Sequence, residues 1–372
     1  MTLRHFVACH CLAFSLQAAE IELSSPLDYQ VIQRRSSTEG TLAIRGTQTG
    51  LDGGKTTWRV KIGNEADWQS LQVAMDGKTF SASLTAPAGG WYRFEIQALQ
   101  ADEIVAQAAV EHVGIGEVFV VAGQSNSANH GEEKQTTQTR RVSSFDGHAW
   151  QIANDPQPGA SGRGGSFMPA LGDELVKRFD VPVGFIACGI GATSVREWLP
   201  KGATFPNPPT IEKRVEKLAN GLWASKGEAY DAFVARVKPF CPNGFRAVLW
   251  HQGESDANQK DTTRTLPGRL YREYLEKIIR DSRRDTGFEA PWFVAQVSYH
   301  SPGDEGSDDL RAAQASLWRD GIAHEGPDSD ALKGLLRQNE GQGVHFSGPG
   351  LREHGRKWAE KLGPWIEVKL TK

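Results

Sequence analysis

From Ile115 onward the chain repeats one pattern, a short apolar run followed by a longer polar stretch with helical spacing. The runs "EVFVVAG", "VPVGFIACG", "FRAVLWHQG" and "PWFVAQVSY" are too continuously apolar to cover only one face, which predicts strands buried on both sides. Between them "SFMPALGDELVKRF" and "LPGRLYREYLEKIIRDSRRDTG" read as helices. In the second, Leu270, Tyr274 and Ile278 recur every four residues, and Gly287 suits its C-terminal end. "DDLRAAQASLWRDG" and "GLREHGRKWAEKLGPW" continue the alternation. This order predicts an α/β fold with a parallel sheet flanked by helices, whose ligands bind beyond the carboxyl ends of the strands.

The preceding stretch, residues 20–114, follows a different period. "SLQVAM", "TFSASL" and "WYRFEIQAL" alternate, placing Leu71, Val73 and Met75, then Phe80, Ala82 and Leu84, then Tyr92, Phe94, Ile96 and Ala98 on one face each. Asp76-Gly77 is a hairpin turn between the first two. A small all-β sandwich ahead of the α/β domain (residues 115–368) is expected, as a packing domain or as a glycan binder.

The first 19 residues carry Arg4 and an apolar run from Phe6 to Leu16 ending near Ala18 and Ala19. That is the pattern of a secretory signal peptide, too short to span a bilayer, so a secreted or periplasmic protein without a membrane anchor is expected. Net charge is −3 for the chain, with no basic tract, which argues against nucleic acid as a partner. Beyond the signal segment two cysteines remain, Cys188 after one expected strand and Cys241 before another. They should lie at opposite ends of the sheet, unbridged.

The expected strand ends carry "GQSNS" (123–127), "CGIGATS" (188–194) and "HQGESD" (251–256), while "GVHFSGPG" (343–350) precedes the final helix. Together they supply a serine, glycine-rich backbone, an amide, carboxylates and a histidine, the groups that acyl transfer requires. Each is ambiguous alone. Ser125 also suits a turn, His345 is one of ten histidines, and Glu254 and Asp256 suit a helix start. Position 127 is Ser, so the G-x-S-x-G elbow of α/β-hydrolases is absent. His130, His251, His300 and His354 show no metal-ligand spacing, and neither a metal nor an organic cofactor is expected.

"GEVFVVAGQSN", "GFIACGIGATSVREW", "WHQGESD" and "GVHFSGPGLREHG", in this order, resemble the sialate O-acetylesterase-like branch of the SGNH hydrolases, related to acetylxylan esterases of carbohydrate esterase family 6. The resemblance covers about residues 115–368 and implies a flavodoxin-like sheet. It makes Ser125 the nucleophile and His345 the general base. The backbone N–H groups of Ser125 and Gly191 and the side-chain amide of Gln252 would form the oxyanion hole. Where many relatives have an aspartate three residues before the histidine, this chain has Gln342. The glutamate of "HQGE", Glu254, is therefore the expected acid, with Asp256 and Glu340 in reserve. Where relatives have a second glycine, this chain has Ala192.

Trp198 and Trp250 flank these motifs and would stack on sugar rings or fill the core, while Arg196 would meet a substrate or pair internally. The implied function is an exported serine esterase that removes O-acetyl groups from sialic acid or a polysaccharide. The alternatives are a glycan-binding protein on a decayed esterase fold and a hydrolase of another ester. The sequence does not address oligomeric state.

Overall fold

The computed structural model describes residues 19–51, 55–63 and 67–371. The signal-peptide expectation, apart from Ala19, lies outside them.

The N-terminal part is a β-sandwich. One sheet runs β1 (Glu20–Ser25), β3 (Glu39–Thr49), β7 (Thr79–Pro87), β6 (Ala74–Asp76), all antiparallel. The facing sheet holds β5 (Gln69–Ser70), β4 (Thr57–Ile62), β8 (Gly89–Gln100) and the first half of β9 (Glu103–Gly123), with β2 (Gln30–Gln33) parallel to β9. Phe80, Phe94, Ile96 and Ala98 fill the space between them with Leu42, Ile44 and Val60. Gly77, with φ +59, sits in the β6–β7 hairpin as expected. The single strand expected for "SLQVAM" is instead two, β5 and β6, in different sheets. Leu71 turns into the core between them, and Met75 is exposed. The chain changes sheet there, so one alternating face cannot continue through it.

Strand β9 joins the two parts. Its first half pairs with β8, and its last residues pair with β12 (Val183–Ala187) and β16 (Ala247–His251) in parallel. The expected boundary at 114/115 therefore falls inside one strand. At this junction the buried Glu117 carboxylate meets Arg34 at 2.7 Å and Arg246 at 2.7 Å, tying β2 and the start of β16 to β9.

The main sheet runs β11 (Trp150–Ile152), β10 (Val142–Phe145), β12, β9, β16, β17 (Trp292–Gln296), β18 (His324–Asp328), parallel except for β11. Numbering its parallel strands from β9, the spatial order is 2-3-1-4-5-6. With the added edge hairpin β10–β11 set aside, the remaining strands β12, β9, β16, β17 and β18 stand in the order 2-1-3-4-5, the flavodoxin-like order expected. No helix links β9 to β10; the loop 128–141 carries the chain to an outer position, and β12 then fills the place beside β9.

Helices α1 (Met168–Phe179) and α6 (Gly348–Leu370) cover one face, while α2 (Glu228–Val237), α3 (Gly268–Thr286) and α4 (Asp308–Arg319) cover the other. A small sheet of β13 (Thr204–Phe205), β14 (Val215–Lys217) and β15 (Trp223–Ser225) is inserted between β12 and α2, and α5 (Gln338–Gly341) is a single turn before α6. Cys188 and Cys241 are free, and burial pushes the Cys188 thiol up to about 12. Among the described residues no helix is long and apolar enough to cross a membrane.

Candidate active site

Successive connections leave β9 towards opposite edges of the sheet, through β12 on one side and β16 on the other. A crevice opens at such a switch point, outside the carboxyl ends of the strands. Here it is a cavity of about 720 Å³ whose walls include Ser125 from the end of β9, Gly191 and Ala192 following β12, Glu254 following β16, and His345 from the loop before α6.

Ser125 opens a short 3-10 turn, Ser125–Ser127, directly after β9. The turn needs Gly123, which has φ +124 and whose added Cβ would lie 2.1 Å from the His251 carbonyl oxygen. A side chain there would separate β9 from β16 or move the serine. Among the described residues no hydrogen bond joins Ser125 to His345 in this state, although both wall the cavity.

The His345 Nδ1 lies 3.2 Å from Gln338 Oε1. With Nδ1 protonated and donating to that amide oxygen, Nε2 is left as the proton acceptor. Burial, the neighbouring His130 and the charge on Arg337 lower the His345 pKa to about 4. The imidazole is thus neutral at ordinary pH. Its loop is clamped by Arg337, which donates to the carbonyls of Ser329, Leu332 and Val344 and lies between the Tyr299 and Phe346 rings.

Glu254 does not reach His345, which corrects its expected place as the acid beside the imidazole. Its Oε1 accepts from Asn126 Nδ2 at 3.0 Å, and that amide also donates to the Val344 carbonyl next to His345. Its Oε2 is buried and, among the described residues, without a partner. Burial raises the carboxyl to about 7, with Asn126 and Arg337 opposing. The reserve acids do not meet the imidazole either. Glu340 is exposed. Asp256 is fully buried and accepts from Ser194 Oγ at 2.5 Å, Gln252 Nε2 at 2.7 Å, Val195 N at 2.8 Å and Arg196 Nη2 at 3.2 Å.

That buried charge accounts for two further corrections. Arg196, expected near substrate, is the counterion of Asp256 and has no exposed surface; removing one member of such a pair typically costs about 3–5 kcal/mol. Gln252, expected in the oxyanion hole, spends its amide on Asp256, the Thr193 carbonyl and Gln124 Oε1. It is absent from the cavity wall, where Gln124 stands instead. Trp198 and Trp250 are also core residues, packed edge to face with centroids 5.2 Å apart. They offer no ring to a sugar.

Gly191 does wall the cavity, and its N–H donates to Ser161 Oγ at 2.6 Å. Ser161 Oγ also lies 3.1 Å from His130 Nε2. A Cβ on Gly191 would come within 2.5 Å of that nitrogen, so a side chain there would have to displace the His130 ring. Ala192 has φ +57, a region costly for an L-residue, which accounts for the glycine that relatives carry. Sequence reading missed Gln338, Ser161, His130 and Asn126; only Asn126, inside "GQSNS", stood within a motif it had marked.

A serine and a neutral imidazole in one switch-point cavity equip a protein for hydrolysing esters. Residues 115–363 match the family described as "Carbohydrate esterase, sialic acid-specific acetylesterase". The chain belongs to that family and is a carbohydrate esterase. Among solved structures it is similar to a carbohydrate acetylesterase from Xanthomonas citri, with TM-score 0.51 and 16% identity over 91% of this chain and 73% of that one. It is also similar to NanS, with TM-score 0.44 and 16% identity over 68% of this chain and 98% of that one. An Arabidopsis thaliana protein gives TM-score 0.45 and 19% identity over 66% of this chain and 96% of that one. No curated protein sequence matches the chain.

Proposed function

We propose that this protein is an exported serine esterase that removes O-acetyl groups from a carbohydrate through an acetyl-enzyme. The observation that carries the reading is the meeting of Ser125 and His345 in one cavity at the sheet's switch point. Ser125 Oγ attacks the acetyl carbonyl carbon while His345 Nε2 takes its proton. The tetrahedral intermediate expels the sugar oxygen, which receives that proton and leaves as an alcohol. Water then attacks the acetyl-serine, His345 takes one of its protons, and acetate departs as Oγ is reprotonated. The Ser125 and Gly191 N–H groups receive the oxyanion, with the Ser161 hydroxyl giving up its place on Gly191. Glu254 and Asn126 act by holding the His345 loop, and Gln338 fixes the imidazole tautomer without adding charge.

Acetate release from O-acetylated sugars, followed across pH, tests this. A base works when neutral, and His345 is held near 4, so kcat/KM should persist through pH 5 and fall only below about pH 4. Gln338→Glu would place a carboxylate at Nδ1, favour the imidazolium and move that acid limb upward by about one pH unit or more. The reading fails if acetylated carbohydrates release no acetate. An acid limb that ignores Gln338→Glu would remove His345 from the base's role.

A further inference from the structure

A second cavity, of about 630 Å³, lies where the sandwich meets the α/β part, at the amino end of the main sheet. From His112 on its wall to Gly123 beside the nucleophile, β9 runs roughly 36 Å at about 3.3 Å per residue, so the two cavities are separate. One wall is aromatic. Tyr29 and His112 stack with centroids 4.2 Å and planes 6° apart, while Trp91 stands at 88° to Tyr29 with centroids 5.6 Å apart. All three rings are partly exposed, yet each is held in place. Tyr29 and Trp91 also pack on the core, and Trp91 Nε1 donates to the Arg140 carbonyl at 2.9 Å. Asp28 Oδ1 accepts from the His112 N–H at 2.9 Å and lies 3.1 Å from its Nδ1. The facing wall is polar and unspent. Asn154 Oδ1 accepts from the Thr137 N–H at 3.1 Å, which fixes the amide's direction. Among the described residues neither Asn154 Nδ2 nor the exposed Arg140 guanidinium has a partner. Tyr29 and Arg140, one on each wall, have φ +58 and +54, a region that side chains with a Cβ avoid. Such conformations persist only where their surroundings fix them, and they gather at binding sites.

We propose that this cavity is a second, non-catalytic carbohydrate site that holds one pyranose unit of a glycan chain. Aromatic faces take the apolar C–H side of a sugar ring, and fixed N–H donors opposite them take its hydroxyl oxygens. Two ring planes at right angles form a corner, which grips a single sugar on two sides where a flat strip would carry a longer run of chain. The site gives the N-terminal part a role besides packing. A polymer held there keeps its acetyl groups at a raised local concentration around the catalytic cavity, and the reacting atoms are untouched.

Native gels cast with soluble xylan or glucomannan read this binding without turnover when the protein carries Ser125→Ala, so the result stands whether or not the esterase reading does. At least one of the two polymers should retard the protein. Trp91→Ala on that background should raise the apparent Kd by about ten- to thirtyfold, the loss expected of an aromatic anchor. Arg140→Gly is the milder variant. Glycine suits φ +54, the carbonyl that anchors Trp91 remains, and only the guanidinium goes. It should weaken retardation by about three- to tenfold without lowering Tm. With Ser125 restored, hydrolysis of 4-nitrophenyl acetate by the Arg140→Gly protein should stay within about twofold of wild type, because Arg140 does not line the catalytic cavity. No retardation by either polymer overturns the proposal. Retardation that Arg140→Gly leaves unchanged also overturns it and assigns the binding to the catalytic cavity. So does a hydrolysis rate that falls together with retardation in Arg140→Gly, since the variant would then have disturbed the whole protein and not one site.

Discussion

Replacing Ser125 with alanine is expected to lower acetate release by on the order of 10⁴–10⁶-fold while leaving the fold in place. The chemical loss is large because no other group in the proposed sequence becomes acetylated. The structural loss is small because, among the described residues, the Ser125 hydroxyl has no hydrogen-bond partner, so no buried group is orphaned. The melting temperature should stay within about 3 °C of wild type. Steady-state release of acetate, read beside a thermal melt of the same sample, checks both halves. A variant retaining a tenth of the rate would remove Ser125 from the mechanism.

His345→Ala is expected to cost about 10³–10⁵-fold in kcat, since the serine then has no acceptor for its proton. The informative sample is the double variant. Two residues that act on one proton transfer are far from additive, so Ser125→Ala with His345→Ala should fall within about threefold of the slower single variant. Additive losses would mean that the two residues serve separate steps. A single-turnover measurement on all three variants separates these outcomes.

How much of this was legible in the sequence depends on the kind of force involved. The strands β9, β12, β16 and β17 are buried on both faces, so apolar continuity revealed them. Strand β18, "HEGPD", has no apolar run, and among the described residues β17 is the one strand it pairs with, at the sheet's edge, so hydropathy cannot see it. The residues at the strand ends were found because the carboxyl ends of a parallel sheet converge. For Arg196, Trp198 and Trp250 the sequence left two places open, for a related reason: adjacency to a motif says nothing about which way a side chain faces. Trp250 lies on a strand, and its side points into the layer of α2, α3 and α4. Gln338 was out of reach for a different reason. Asn339 and Glu340 adopt φ +53 and +55, bending the chain so that a residue seven positions before His345 returns to its Nδ1. No periodicity encodes such a bend.

Glu254 shows the same limit from the energetic side. The resemblance made Glu254 the acid beside the imidazole, but its Oε1 is held by Asn126 Nδ2 at 3.0 Å. The site keeps a neutral histidine beside a neutral amide, so in the proposed mechanism catalysis depends on positioning and on the oxyanion donors more than on a charged partner.

The most direct measurement maps a covalent label. The cavity is lined by Ser125 and His345 and also by Ser161, whose hydroxyl is bonded to His130. A fluorophosphonate transfers its phosphonyl group to an activated serine oxygen with loss of fluoride, and peptide mass spectrometry locates the adduct. The account predicts one adduct per chain, on Ser125, with acetate release lost in proportion to labelling and no adduct in His345→Ala. A label on Ser161, or full labelling without loss of acetate release, would contradict it.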